Sequence, residues 1–102
     1  MRLIVFFDLP METHAQKRSY ADFRRFLLND GYLMMQKSVY VKLIINDQNV
    51  SAAIARLKLH KPHYGLVQLL KVTEKQYVNI EYICGNSSSQ NIVETLESLL
   101  IL

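Results

Sequence analysis

Between Arg2 and Pro10 the chain carries a single ionisable side chain, Asp8, near the end of the apolar run that begins at Leu3. A strand this apolar is normally buried on both faces, where an unpaired carboxylate is costly. Asp8 therefore either emerges at the strand's edge, to meet solvent, a metal or a partner, or sits buried with a compensating donor. An emergent carboxylate is a hard oxygen ligand suited to Mg2+ or Mn2+, and such a cation polarises a phosphoryl group and activates water for phosphodiester hydrolysis. One carboxylate per chain is a poor metal site. Neither a second acid nor a histidine lies in the strand to act as general base. The competing reading has Asp8 capping the nearby loop or pairing with a basic residue.

A second constellation is cationic. On a helical projection Lys17, Arg18, Arg24 and Arg25 fall within roughly a third of the circumference, opposite Tyr20, Phe23, Phe26 and Leu27. Arg56, Lys58 and Lys61 follow near the end of a second helix. Residues 1–75 hold all twelve Lys and Arg against six acids, a net +6, whereas residues 76–102 hold three acids and no base, a net −3. A basic body suits a polyanion, with Lys17, Arg18, Arg24, Arg25, Arg56 and Lys58 as candidate phosphate contacts that fix position without reading sequence. The alternative is an ordinary solvated helix face. The acidic, apolar tail suits protein contact.

Three further sets are weaker. Gln36, Ser38 and Tyr40 form a polar patch in an otherwise apolar extended stretch; they either approach Asp8 across a dimer axis or satisfy a bulge. His60 and His63 lie three apart, but Pro62 breaks helical geometry and neither Cys nor acid accompanies them, which argues against zinc. Cys84 reads as an inward thiol at a strand end. As the sole cysteine it excludes an intramolecular disulfide and fits a reducing cytosol.

The elements that must position these groups are legible in order. A strand over residues 2–9 is followed by a helix with Thr13 as N-cap and Gln16 reaching back, ending near Asp30 with Gly31 beyond it. Residues 32–45 read as one long extended stretch, interrupted at Gln36-Lys37-Ser38 by a bulge or bend. Asn46 or Asp47 caps a second helix carrying Val50, Ile54 and Leu57, ended by Pro62. Strands are expected over residues 64–73 and 77–84, the latter from its strict alternation. The order is β-α-β-β-α-β plus a C-terminal extension: an α+β, ferredoxin-like antiparallel sheet with both helices on one face. Residues 1–84 form the domain and 85–102 a polar linker and final strand, with an amphipathic helix of Ile92, Leu96, Leu99 and Leu100 as the alternative for the tail.

With 102 residues, half of them apolar, a lone domain has too little interior to hide its open sheet face, and a symmetric homodimer is the simplest remedy. The first strand follows Met1 with no room for a cleavable signal, and residues 3–7 are too few to span a bilayer. A soluble, cytoplasmic protein with no membrane association is expected.

Three segments give the chain a family likeness. Phe6-Phe7-Asp8-Leu9-Pro10, the basic helix from Lys17-Arg18 to Asn29-Asp30-Gly31, and Gln36-Lys37-Ser38-Val39-Tyr40 followed by Lys42-Leu43 together resemble the CRISPR-associated protein two family, the small adaptation subunit of CRISPR systems, over about residues 1–84. Val72-Thr73-Glu74-Lys75-Gln76 is similar to members from systems with a single large effector nuclease. The resemblance implies a symmetric ferredoxin-like dimer whose C-terminal strands exchange, bridging CRISPR integrase subunits and binding a duplex DNA prespacer. It also implies, for some members, cleavage of RNA or DNA with Mg2+ or Mn2+ shared between the two Asp8 side chains, which would make Asp8 both the catalytic and the metal-binding residue. The scaffold role needs no catalysis. The rival readings are a stand-alone, toxin-like ribonuclease and an RNA-binding module of the same topology; the scarcity of aromatics in residues 64–73 argues against the second.

Overall fold

A computed structural model describes residues 1–85; the expected tail strand or helix lies outside the described residues. β1 (Arg2–Asp8) leads to α1 (His14–Asn29), then to β2 (Leu33–Gln36) and β3 (Val39–Leu43), α2 (Asp47–Leu59), β4 (Leu66–Val72) and a short α3 (Glu74–Val78). The four strands form one antiparallel sheet in the order β2-β3-β1-β4, the split arrangement of a ferredoxin-like fold.

Local chemistry sets the helix ends. The Thr13 hydroxyl accepts from the Gln16 N–H at 3.1 Å, and the Gln16 side chain accepts from the Thr13 N–H at 3.0 Å, closing a capping box. Asp30 caps the other end of α1, and Gly31 turns the chain with φ +97°, a conformation that favours glycine. Asn46 caps α2 by accepting from the Asn49 N–H at 2.9 Å.

Alternation along β1 sends Leu3, Val5 and Phe7 toward the helices, where they meet Phe23 and Leu27 of α1 and Val50, Ala53 and Leu57 of α2 in the core. Phe7 is the hub of an aromatic cluster, edge-on to Phe23 at 5.3 Å and stacked with Tyr40 at 5.6 Å. The other face of the sheet carries neither α1 nor α2; α3 meets it at Arg2, and Ile4 and Val41 are buried there. Register places Ile4, Phe6 and Asp8 there, beside Val39, Val41 and Leu43 of β3 and Leu66, Gln68 and Leu70 of β4. Leu33, Leu43, Leu66 and Leu70 are each at least half exposed on this face.

Two expectations are corrected. Residues 32–45 are not one strand but a hairpin: Gln36 pairs with Val39, Lys37 and Ser38 make the turn, and a register shift falls between Met34 and Gln36. Residues 77–84 form no strand. Thr73 and Gln76 build a second capping box, with bonds of 3.1 Å and 2.9 Å, and this starts α3 where the alternating pattern suggested extended chain.

Candidate functional site

Asp8 emerges. As the last residue of β1, on the face opposite α1 and α2, it is exposed, and among the described residues its carboxylate has no ion-pair partner. It lines a shallow hollow of about 170 Å³ with Phe6, Ser38, Val39, Leu66 and Gln68. The hairpin turn is tied to the end of β1 by the Phe7 N–H, which donates to the Ser38 carbonyl at 3.0 Å. Ser38 holds φ 66°, a left-handed conformation that a serine adopts at some cost and that the hairpin imposes. From the β4 side Gly65, φ +89°, closes against the same end of β1.

The polar patch expected around Asp8 divides. Ser38 lies in the hollow, and Gln36 is exposed at the far side of the turn. Tyr40 points the other way: it pairs with helix-facing Val5 and is 1% exposed in the core, which corrects the expectation of a polar contact near Asp8. Cys84 is likewise corrected, from an inward thiol to an exposed one, because no strand forms to turn it inward.

On α1, Lys17, Arg18 and Arg25 line a groove along the solvent face, and Arg24 is exposed on the same helix. Arg25 is paired with Asp22 at 3.0 Å. Lys58 is exposed on α2, whereas the Arg56 guanidinium donates to Asp30 at 2.9 Å and so has less of its charge left for phosphate. No group of three or more potential metal ligands occurs among the described residues, so one chain alone offers no closed metal site. No helix in the described residues is long and apolar enough to cross a membrane.

The family model described as CRISPR associated protein Cas2 matches residues 1–80. The chain belongs to the Cas2 family. It is 44% identical over 102 residues to a Treponema denticola protein named CRISPR-associated endoribonuclease Cas2, covering all of both chains. A protein of the same name from Streptococcus mutans serotype c is 46% identical over 85 residues, covering 83% of this chain and 78% of that one. A third, from Ligilactobacillus salivarius, is 37% identical over 100 residues, covering 91% and 99%.

Two features of this Cas2-family chain were missed from sequence. Gln68 is the sole polar residue on the open face of β4 and shares the hollow with Asp8; its place in the period-two alternation was a usable signal. Asp30 is 16% exposed and receives both Arg56 and Lys42, the latter at 3.5 Å. Beside it the Tyr32 hydroxyl is buried without a hydrogen-bond partner, and burial, helped by the Asp30 charge, pushes it up to about 12. Lys42 belongs to β3 and Arg56 to α2, so this cluster exists only once the hairpin and the helices have packed.

Proposed function

We propose that two copies of this chain associate through the sheet faces opposite α1 and α2, bringing two Asp8 carboxylates into one site, and that the dimer binds duplex DNA as the scaffold subunit of a CRISPR spacer-acquisition complex in the cytoplasm. The observation that carries this reading is the exposed, unpaired Asp8 at the rim of an apolar face that leaves four leucines half exposed or more. The α1 cations meet phosphate.

The donor set suits a hard divalent cation. Each chain offers the Asp8 carboxylate, with Ser38 and Gln68 lining the same hollow, and Mg2+ is commonly held by one or two carboxylates plus water. Bound there, Mg2+ or Mn2+ would supply Lewis-acid assistance to phosphodiester hydrolysis. The chain's own part is to hold the two carboxylates and to present the scissile strand along its cations. The named relatives are endoribonucleases, so RNA is the first substrate to test and DNA the second.

The test compares wild type with Asp8→Ala, each purified to homogeneity, on RNA and DNA with Mg2+ or Mn2+. Cleavage is expected to disappear in the variant while dimerisation and salt-sensitive duplex binding persist. Equal cleavage by both proteins would remove Asp8 from the chemistry. A monomeric wild type that binds no duplex would remove the scaffold reading as well. The RNA-stacking alternative gains nothing from the fold, since the open faces of β3 and β4 carry only aliphatic and amide side chains beside Phe6.

A further inference from the structure

The end of α2 and the residues that follow it pack beside α1 and leave an open hollow of about 350 Å³, in the size range of small-ligand sites. It shares no residue with the Asp8 hollow. One wall is aromatic: the Phe26 and His60 rings stack at 4.3 Å and 11°, and Tyr64 stands at the rim, 45% exposed. Arg18 and Lys61 line the same space, and neither has an ion-pair partner among the described residues. Arg18 belongs equally to the groove on α1 that Lys17 and Arg25 line, so the cationic surface runs without a break into the aromatic hollow. The one acid shared by both, Asp22, is already engaged by Arg25.

Cations tracking into a pocket walled by the Phe26–His60 stack and rimmed by exposed Tyr64 join two chemistries, phosphate neutralisation and π-stacking. An aliphatic ligand would use neither. A base still paired within a duplex presents no free face, so the occupant must come from an unpaired stretch. We infer that this hollow takes one unpaired nucleotide at the end of a bound strand, its base stacked against Tyr64 and the Phe26–His60 pair and its phosphate between Arg18 and Lys61. The His60-Lys61-Pro62-His63 segment, unsuited to zinc, thereby forms the wall of a base pocket. The inference deepens the nucleic-acid reading proposed above and rests on it.

Fluorescence anisotropy on the full-length protein would compare a blunt DNA duplex with the same duplex carrying a short unpaired extension. In wild type the extension is expected to tighten binding about tenfold, the effect of one well-stacked base. Tyr64→Ala is expected to abolish that gain while leaving blunt-duplex affinity and the melting temperature unchanged, and Tyr64→Phe to keep it. Blunt binding with no gain from the extension, or a gain that survives Tyr64→Ala, overturns the base pocket alone. Failure of all three proteins to bind even the blunt duplex overturns the parent reading, and the pocket with it.

Discussion

A methyl group on Gly65 would lie 2.5 Å from the carbonyl oxygen of Asp8 and 2.9 Å from the Cα of Leu9. Both are backbone atoms, so no side chain can swing aside to make room. The glycine also holds φ +89°, where any other L-residue is strained. Register explains the closeness: Asp8 pairs with Leu66, the residue immediately after Gly65, so the β4 turn abuts the strand end that presents the carboxylate.

Gly65→Ala is therefore expected to destabilise the protein by about 2–4 kcal/mol, combining left-handed strain with overpacking. Because the clash falls on the Asp8 backbone, whatever depends on Asp8 should decline in the fraction that remains folded. Urea unfolding gives the first quantity. A variant as stable as wild type would show that the turn relaxes freely.

The end of β1 was legible in the sequence because a lone carboxylate closing an apolar strand has few places to go. α1 was legible through its capping box and its 3.6-residue period. The β2–β3 hairpin is hidden in the sequence because Lys37-Ser38 lacks the Gly or Asn that usually marks such a turn. α3 was hidden by the alternation of residues 77–84, while five helical residues are too few to show a competing period. The neighbours of Asp8 are only partly legible: Ser38 belongs to the polar patch of Gln36, Ser38 and Tyr40, whereas Gln68 reaches the hollow through the β1–β4 register, a long-range pairing.

Tyr32 offers a test of buried polarity. Its hydroxyl lacks a hydrogen-bond partner, so Tyr32→Phe removes an unsatisfied group and should leave stability unchanged or raise it by about 1 kcal/mol. Burial raises the folded-state phenol to about 12 from an ordinary 10. The unfolded chain therefore releases this proton first. The associated stability is complete below pH 10 and is lost as the pH climbs toward 12. The wild-type curve should fall below that of Tyr32→Phe in this window; parallel curves would show that the phenol titrates normally.

Asp30 joins three elements, capping α1 and receiving Lys42 of β3 and Arg56 of α2. Asp30→Ala leaves two partly buried cations without their acid and is expected to cost about 1–3 kcal/mol. Lys42 also donates to the Asp30 main-chain carbonyl, a contact the substitution spares. Pairing Asp30→Ala with Arg56→Ala in a double-mutant cycle would isolate the Arg56 share. Strict additivity would show that the 2.9 Å contact contributes nothing.

α3 is held to the sheet by Arg2, whose guanidinium donates to Glu74 at 2.8 Å and 3.2 Å and lies 4.2 Å from the centre of the Tyr77 ring. The Arg2 hydrogen bond, more than its charge, holds the Glu74 carboxyl below its ordinary value. A depressed carboxyl stabilises the folded contact fully above its unfolded value and loses that contribution as pH falls through the folded one. Acidification should therefore release α3 from Arg2 while the core stays folded, seen as movement of the Tyr77 ring resonances toward free-tyrosine positions. Glu74→Gln should show the released positions already at neutral pH, with the acid step gone. An acid step of equal size in Glu74→Gln would assign it to another group and leave α3 anchored by the Tyr77 stack alone.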